Sequence, residues 1–222
     1  MQFKRAIAME FLGTAILAIG IVGSGHMVTY LAADDGLKLF INALATAVAL
    51  AIAIRLGMKV SGSHLNPAVS LIMLILKKID PKIFIFYVSA QVFGAIFGTL
   101  FANLMFDQKI LGQSTITRGG FNLFCSELFA TMILLWIILR FPKRDELVAI
   151  YVPIWIFGAI LLTSSTSFAN PAITIGRVFT SSIVGIAPSS VIIFITAQIV
   201  GALLGLLIAK QVTNPDKESR DE

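Results

Sequence analysis

The tripeptide Asn-Pro-Ala occurs twice in the chain, at Asn66-Pro67-Ala68 and at Asn170-Pro171-Ala172. Asparagine can cap the start of a helix, and proline suits the first helical turn, so each tripeptide predicts a helix N-terminus. A helix N-terminus carries a partial positive charge. Two such ends brought together would form an electropositive site within a chain that is otherwise very apolar.

Two carboxylates, Glu10 and Glu127, lie inside long apolar runs. An ionisable group at such a position suggests a functional site by default. One interpretation is a proton relay, which would make the protein a transporter. The other is a buried carboxylate that accepts hydrogen bonds from backbone amides in need of a partner.

Residues for other kinds of chemistry are scarce. A single cysteine, Cys125, excludes an internal disulfide, and two histidines leave little for a metal site. We find no nucleophile triad, phosphate loop or metal-ligand spacing, so we predict neither an enzyme nor a cofactor. Cys125 is expected to be a small packing residue. His26 is expected at the membrane interface, and His64 either lines a cavity, senses pH or is a hydrogen-bonded loop residue.

The composition excludes an ordinary soluble domain. Of the 222 residues, 57% are hydrophobic and 13% are charged, whereas soluble proteins carry about 25% charged residues. The net charge of +5 is not gathered into a patch, so we expect no nucleic-acid partner. A membrane-spanning helix needs about 20 apolar residues. The chain therefore has room for about six spans in a lipid bilayer, as a single domain over residues 1–222.

Six apolar runs are long enough to cross the bilayer. Continuous runs without two-residue alternation favour helices over a closed barrel. The first run is longer than the apolar part of a signal peptide, so it is expected to be retained as a span. The predicted spans are Ala6–Val28, Phe40–Met58, Ile83–Phe106, Phe121–Phe141, Leu147–Thr163 and Ser189–Ala209.

The positions of lysine and arginine predict the orientation of these spans. With the N-terminus in the cytoplasm, 13 of the 17 basic residues fall on the inner side. Both termini are therefore expected in the cytoplasm, with residues 212–222 as a solvated polar tail. Four basic residues would lie outside: Lys38, Lys109, Arg118 and Arg177.

Landmarks recur in the same order along the chain, which indicates an internal duplication. Glu10 and Gln91 flank the first tripeptide as Glu127 and Gln198 flank the second, at offsets between 104 and 117 residues. The repeats cover about residues 6–106 and 121–209, with three spans each. Because three is odd, the second repeat must be inverted in the membrane, which places a functional site at the repeat interface near the midplane.

The segments that carry the tripeptides, Ser61–Lys77 and Thr163–Ser182, are too short to span a membrane. Each is expected to be a re-entrant half-helix, so that two N-termini meet at the centre of the bilayer. Irregular backbone is tolerated at that depth only where protein covers it or water fills a cavity, so a pore is expected beside them. Glycine pairs in the third and sixth spans are expected to pack the two halves together: Gly94 with Gly98, and Gly201 with Gly205.

From Glu10 to Gly205 the chain resembles the aquaporin and glycerol-facilitator family, also called major intrinsic proteins. The specific part is Ser63-His64-Leu65-Asn66-Pro67-Ala68-Val69 together with the second Asn-Pro-Ala. The resemblance implies an all-α membrane protein with six transmembrane helices, two re-entrant half-helices and one pore per subunit of a homotetramer. It also implies passive movement of water or small uncharged solutes, to which Asn66 and Asn170 would donate amide hydrogens. It favours the supporting role for the two buried glutamates.

The selectivity filter of this family lies outward of the paired asparagines, and here the chain departs from the pattern. The family usually has arginine directly after the second tripeptide, whereas this chain has Ile173. An ungapped count from the asparagines places the other filter positions at Thr46, Gly158 and Ser167. These small side chains predict a wide filter with weak discrimination against solutes larger than water. The pattern resembles a bacterial branch linked to the neutral hydroxides of trivalent arsenic and antimony.

Arg177 follows Ile173 by four residues, hence on roughly the same helix face and about 6 Å further out. It could place a positive charge at the outer vestibule and partly replace the missing arginine. The alternative is an arginine that reaches the outer headgroups.

Other classes of protein stay open at the level of sequence. An ion-coupled secondary transporter is also built from inverted repeats, and it would use Glu10 or Glu127 to bind the coupling ion. A water-selective channel and a structural membrane protein are further alternatives. The expected location is a bacterial cytoplasmic membrane.

Overall fold

The computed structural model describes residues 2–141 and 144–212, which are mostly helical. A 3-10 turn, Arg177–Phe179, directly follows the seventh helix. The helices are α1 Gln2–Tyr30, α2 Asp35–Ser61, α3 Pro67–Ile75, α4 Pro81–Met105, α5 Phe121–Arg140, α6 Asp145–Leu162, α7 Pro171–Gly176 and α8 Pro188–Val212.

Six helices in the described part of the chain are long and apolar enough to cross a membrane, namely α1, α2, α4, α5, α6 and α8. Each helix contains one predicted span completely or lacks only its last residue, so the predicted all-α fold is confirmed. α3 has nine residues and α7 has six, which is too short to span. The predicted polar tail lies outside the described residues beyond Val212.

Local sequence explains where the first re-entrant segment begins. The carboxylate of Asp34 caps α2 by accepting a hydrogen bond from the Leu37 amide at 2.9 Å. α2 ends at Ser61, and the residue that caps it, Gly62, has a φ of 84° in the left-handed region. Because glycine adopts this conformation without steric cost, the chain turns sharply here and re-enters the protein toward Asn66.

The two repeats fold alike and meet through the half-helices. α1 packs against α2 and α4 in the first repeat, as α5 packs against α6 and α8 in the second. α2 contacts α6 across the junction, and α3 and α7 each lie against both α4 and α8. Because six helices cross the membrane, the described ends Gln2 and Val212 lie on one face. This face is called the inner face below, and the opposite one the outer face.

The glycine pairs pack helices within each repeat, which corrects the prediction that they join the two halves. A Cβ atom on Gly94 would meet the backbone carbonyl of Phe11 in α1. A Cβ atom on Gly201 would meet the carbonyl of Leu128 in α5 at the corresponding place. The absent side chains let α4 approach α1, and α8 approach α5, at backbone contact distance.

The spanning helices present apolar side chains outward. Phe93 on α4 and Ile192 on α8 are 66% and 77% exposed. Such a surface belongs in lipid, and the chain is an integral membrane protein. Cys125 is exposed as well, so the prediction of a packing residue is wrong. It lies two positions before the buried Glu127, hence on the opposite side of α5.

His26 is buried, which corrects the prediction of an interfacial residue. Its Nε2 lies 2.9 Å from Oδ1 of Asn103 in α4. The same Oδ1 accepts a hydrogen bond from the Thr180 hydroxyl at 2.8 Å, and the Asn103 amide donates to the carbonyl of Phe179. This network fixes the segment after the 3-10 turn to α1 and α4.

Candidate pore between the re-entrant helices

The loops that lead into α3 and α7 have an unusual backbone conformation. Ser63 and Leu65 have φ values of 47° and 50°, and Ser167 and Ala169 have values of 41° and 45°. Positive φ costs a non-glycine residue roughly 1–3 kcal/mol and persists only where surrounding structure enforces it. Both loops therefore need strong partners, and the two buried glutamates supply them.

Glu10 holds the first loop through four hydrogen bonds. Its Oε1 accepts from the Ser61 hydroxyl at 2.6 Å and from the His64 amide at 3.0 Å. Its Oε2 accepts from the Leu65 amide at 2.6 Å and from the Gln91 side chain at 2.7 Å. Each carboxylate oxygen has two partners, so the charge is stabilised without a bound ion.

Glu127 holds the second loop in the same way. Its Oε1 accepts from the Ser165 hydroxyl at 2.6 Å and from the Phe168 amide at 2.8 Å. Its Oε2 accepts from the Ala169 amide at 2.9 Å and from the Gln198 side chain at 2.7 Å. This geometry leaves no free carboxylate oxygen for a proton relay and matches the supporting role.

The two asparagines connect the tips of the half-helices. The side-chain oxygen of Asn66 caps α3 at the Ala68 amide, and that of Asn170 caps α7 at the Ala172 amide. The side-chain nitrogen of Asn66 donates to the carbonyl of Ala169 at 2.8 Å. Asn170 donates to the carbonyl of Leu65, also at 2.8 Å.

Each asparagine therefore uses one amide hydrogen to join the repeats. A carboxamide has two donors, so one remains on each side chain. Asn66 and Asn170 both line the same cavity, into which the second hydrogen can donate. Pro67, Ala68, Pro171 and Ala172 are buried behind them and form the first turns of the half-helices.

A cavity of about 250 Å³ runs past these asparagines from one face toward the other. Lys78, Phe141 and Asp145 line its inner end, and Asn42 and Arg177 line its outer part. Its wall is largely apolar where the spanning helices form it and polar where the re-entrant loops form it. A passage with this lining suits a small molecule that has one polar and one apolar side.

Three of the four predicted filter residues lie on this cavity: Thr46, Ser167 and Ile173. Thr46 and Ser167 are 4% and 5% exposed. Their hydroxyl oxygens bond to no other group in residues 2–141 and 144–212. Both hydroxyls are thus buried without a protein partner beside the cavity, and Ile173 adds an apolar side chain to the same wall.

Gly158 is not on the cavity wall, and here the ungapped count must be corrected. The wall residues from α6 recur every three or four positions and include Ile156 and Ile160. A shift of two residues rotates a helical position by about 200°, so Gly158 points away from the cavity. Ile160, two residues further along α6, lines the cavity.

Arg177 lies on the cavity wall and is 6% exposed, so it does not extend to the headgroups. Its Nε donates to the carbonyl of Val184, and its Cζ lies 3.3 Å from the ring centroid of Phe168. His64 also lines the cavity. Its Nδ1 lies 3.0 Å from the Ser70 hydroxyl, so it is both a hydrogen-bonded loop residue and a wall residue.

The arrangement is that of a largely apolar passage with a few polar side chains at the re-entrant loops. In the described ranges no three His, Cys, Asp or Glu side chains come close enough to hold a metal ion. The cavity wall instead carries two asparagines and two hydroxyl-bearing side chains, Thr46 and Ser167, along a mostly apolar passage. These groups can replace part of the hydration shell of a neutral solute.

Comparison with known proteins identifies the family. The profile of the "Major intrinsic protein" family matches residues 1–169. The chain is 39% identical to "Aquaglyceroporin AqpS" of Rhizobium meliloti (strain 1021), over 96% of this chain and 91% of that one. It is 29% identical to "Glycerol uptake facilitator protein-like 6" of Lactiplantibacillus plantarum, over 96% and 100%.

A solved structure supports the fold. The aquaglyceroporin from Plasmodium falciparum superposes with a TM-score of 0.74 at 23% identity, covering 95% of this chain and 97% of that one. The long match to the family profile and the 39% identity to a bacterial relative rest on sequence alone. The chain belongs to the major intrinsic protein family, whose members are passive membrane channels and not enzymes.

Proposed function

We propose that this protein is a passive channel for water and for small uncharged solutes of about the size of glycerol. The carrying observation is the filter wall, in which small or aliphatic residues stand where a narrow filter needs bulky or charged ones. Ile173 and Ile160 supply apolar surface, and Thr46 and Ser167 supply the free hydroxyls. Two of its relatives, an aquaglyceroporin and a glycerol uptake facilitator-like protein, are named for this class of solute.

Polyols fit the chemistry of this wall. A molecule such as glycerol has hydroxyls along one edge and carbon along the other. Its hydroxyls can bond to the side chains of Thr46, Ser167 and the two asparagines, while its carbons lie on isoleucines. Metalloid hydroxides such as arsenous acid are neutral near pH 7 and of similar size, and we include them in the proposed solutes.

The half-helices favour neutral solutes over cations. α3 and α7 point their N-termini at the midplane, where the asparagines cap them. The partial positive charges of these ends disfavour a cation at that point. The saturated carboxylates of Glu10 and Glu127 leave no site for a coupling ion, which favours a channel over an ion-coupled transporter.

The proposal extends to the assembly. We infer a single transmembrane domain over residues 1–222 in a bacterial cytoplasmic membrane, with both termini in the cytoplasm as the distribution of basic residues predicts. Exposed apolar side chains on the spanning helices leave surface for lipid and for the subunits of a homotetramer with one pore each.

Stopped-flow measurements on proteoliposomes test the proposed solutes. Swelling and reswelling are recorded with water, glycerol, urea and arsenous acid against empty liposomes. We expect glycerol and arsenous acid to enter at least tenfold faster with the protein. If water moves faster but neither of these solutes does, the channel is water-selective and the wide filter is wrong.

A pair of variants on α6 tests the wall itself. Ile160→Trp adds bulk to the cavity, so glycerol flux should fall by more than tenfold and water flux by less. Leu161→Trp is the matched control, since Leu161 is 40% exposed on the outer surface of the same helix turn. Equal losses in both variants would contradict the placement of Ile160 in the filter.

A further inference from the structure

The filter position after the second Asn-Pro-Ala carries no charge in this protein. Ile173 fills it and is 1% exposed. A wide filter without a charge admits small cations as readily as polyols as far as size is concerned. A bacterial membrane could not hold its ion gradients against such a leak, so the filter needs a source of cation rejection in addition to the half-helix ends at the midplane.

We propose that Arg177 is the cation-rejecting residue of this filter and that Phe168 holds it in place. The proposal rests on the proposed function, since it assigns selectivity to the same pore. It moves the filter charge one helical turn outward, from the end of the first turn of α7 to the 3-10 turn that follows it.

Two contacts hold the Arg177 side chain in position. The guanidinium lies over the face of the Phe168 ring, and its Nε is bonded to the Val184 carbonyl. A cation over an aromatic face is attracted by the ring, more strongly where water is excluded. Arg177 is almost fully buried, so the ring and the carbonyl fix the group at the cavity wall.

Arg177 lines the passage, and only its Nε is bonded to the described part of the protein. Its terminal nitrogens bond to no oxygen in the described parts of the chain, so their hydrogens remain available to a solute. The ion pairs Lys38 with Asp35 and Arg55 with Glu146 do not involve Arg177. A passing cation therefore meets an unpaired positive charge, whereas a neutral hydroxyl meets hydrogen-bond donors.

The neighbouring charges support this assignment. Arg118 reaches the same ring from the outer loop, with its Cζ 5.2 Å from the Phe168 centroid, but it lies off the cavity wall. Its guanidinium is bonded to the carbonyls of Gly185 and Ile183. Burial lowers the pKa of Arg118, yet an arginine side chain keeps its charge at neutral pH. Glu127 is the nearby carboxylate, and both of its oxygens already accept hydrogen bonds from the second loop.

Removal of the charge is the direct test. Potassium flux and glycerol flux are measured in the same proteoliposomes for the wild type and for Arg177→Gln. We expect potassium flux to rise at least tenfold and glycerol flux to change less than twofold. Arg177→Lys keeps a charge and should stay close to wild type. Lys109→Gln removes an exposed charge from the same outer face and serves as the control.

A positive charge restored at position 173 tests whether Arg177 acts through its charge or has a merely structural role. Ile173→Arg in the Arg177→Gln background should bring potassium flux back toward the wild-type value. A structural defect would not be repaired by an arginine four residues away. If glycerol passes and Arg177→Gln conducts no more potassium than wild type, the proposal is overturned. If the wild type itself moves no glycerol, the proposed function fails, which the wild-type measurement shows separately.

Phe168 is the positioning residue in this proposal. Phe168→Leu removes the aromatic face and leaves the charge free to leave the wall, so potassium flux should rise about threefold. Phe168→Tyr keeps the ring and should restore the wild-type flux. Equal behaviour of the leucine and tyrosine variants would contradict a positioning role for the ring.

Discussion

The loop before α3 and the loop before α7 are held by the same set of hydrogen bonds. In each, one glutamate accepts from a serine hydroxyl, from two backbone amides and from a glutamine side chain. In each, one asparagine caps its own half-helix and donates to a carbonyl of the other loop. The backbone turns through positive φ at equivalent residues.

The side chains that these loops present to the cavity differ. At equivalent places, 104 residues apart, His64 in the first repeat corresponds to Phe168 in the second. In the same way Met73 corresponds to Arg177. The inner half of the wall thus has an imidazole and a thioether where the outer half has an aromatic ring and a charge.

This difference separates two physical requirements. Buried backbone amides need partners whatever passes through the pore, so both repeats keep the same carboxylate and amide groups. Wall residues contact the solute and need not be alike in the two halves. The outer half carries a buried arginine and a serine hydroxyl without a protein partner, so selectivity is expected there and support is expected in both halves.

The largest loss of stability is expected for Glu10→Gln and Glu127→Gln, which test whether the two glutamates support their loops equally. In either variant one oxygen that accepts two hydrogen bonds becomes an NH2 group that faces two donors. Each buried group left without a partner costs about 1–3 kcal/mol, so a loss of several kcal/mol is expected in both. The thermal midpoint of the protein purified in detergent measures it.

Glu146→Gln is the control for these variants. The Glu146 side chain is 82% exposed, and its nearest basic partner, Arg55, lies 3.9 Å away. An exposed pair of this kind contributes about 0–1 kcal/mol, so little change is expected. A large loss for only one of the two buried glutamates would show that the repeats are not equivalent in their support.

A smaller loss of stability is expected where the third spanning helix of each repeat, α4 or α8, packs against the first. Gly94→Ala and Gly201→Ala each place a methyl group against a backbone carbonyl of the neighbouring helix. Overpacking of this kind costs about 1–3 kcal/mol, and the two variants should lose similar amounts. The same thermal midpoints report it. Gly119→Ala is the control, because a Cβ atom there meets nothing within 4 Å, and a similar loss in it would refute the packing explanation.

Much of this architecture could be predicted from the sequence because its signals are local or repeated. A run of about 20 apolar residues identifies a span without knowledge of its neighbours. Asn-Pro identifies a helix start in the same way, and the repetition of Glu10 at Glu127 assigns both to one role. The residues that hold the re-entrant loops can therefore be predicted from sequence, since their role depends on residue type and order.

Wall residues were harder to predict because they depend on rotation and on distant partners. The ungapped count points to Gly158, whereas Ile160, two residues further along α6, lines the cavity. The place of Arg177 depends on contacts with Phe168 and Val184 that helix spacing alone does not reveal. His26 is buried by Asn103 and Thr180, which follow it by 77 and 154 residues.

The smallest expected effect is on glycerol permeability and concerns the hydroxyl of Thr46 on the cavity wall. Thr46→Val keeps the shape of the side chain and removes an oxygen that has no partner within the described residues. Stability should not fall, because no protein group loses a hydrogen bond. A solute that bonds to this oxygen loses about 0.5–1.5 kcal/mol, so glycerol permeability should drop about threefold.

Thr99→Val isolates the effect of the wall from the effect of a buried hydroxyl. The Thr99 oxygen is also buried and has no partner in the described ranges, but Thr99 lies on α4, away from the cavity. Stopped-flow glycerol permeability should fall in Thr46→Val and stay unchanged in Thr99→Val. Because both variants make the same chemical change in the same kind of surroundings, only contact with the solute separates them. Equal permeability in the two variants would remove Thr46 from the filter and leave Ser167 as the hydroxyl that the solute meets.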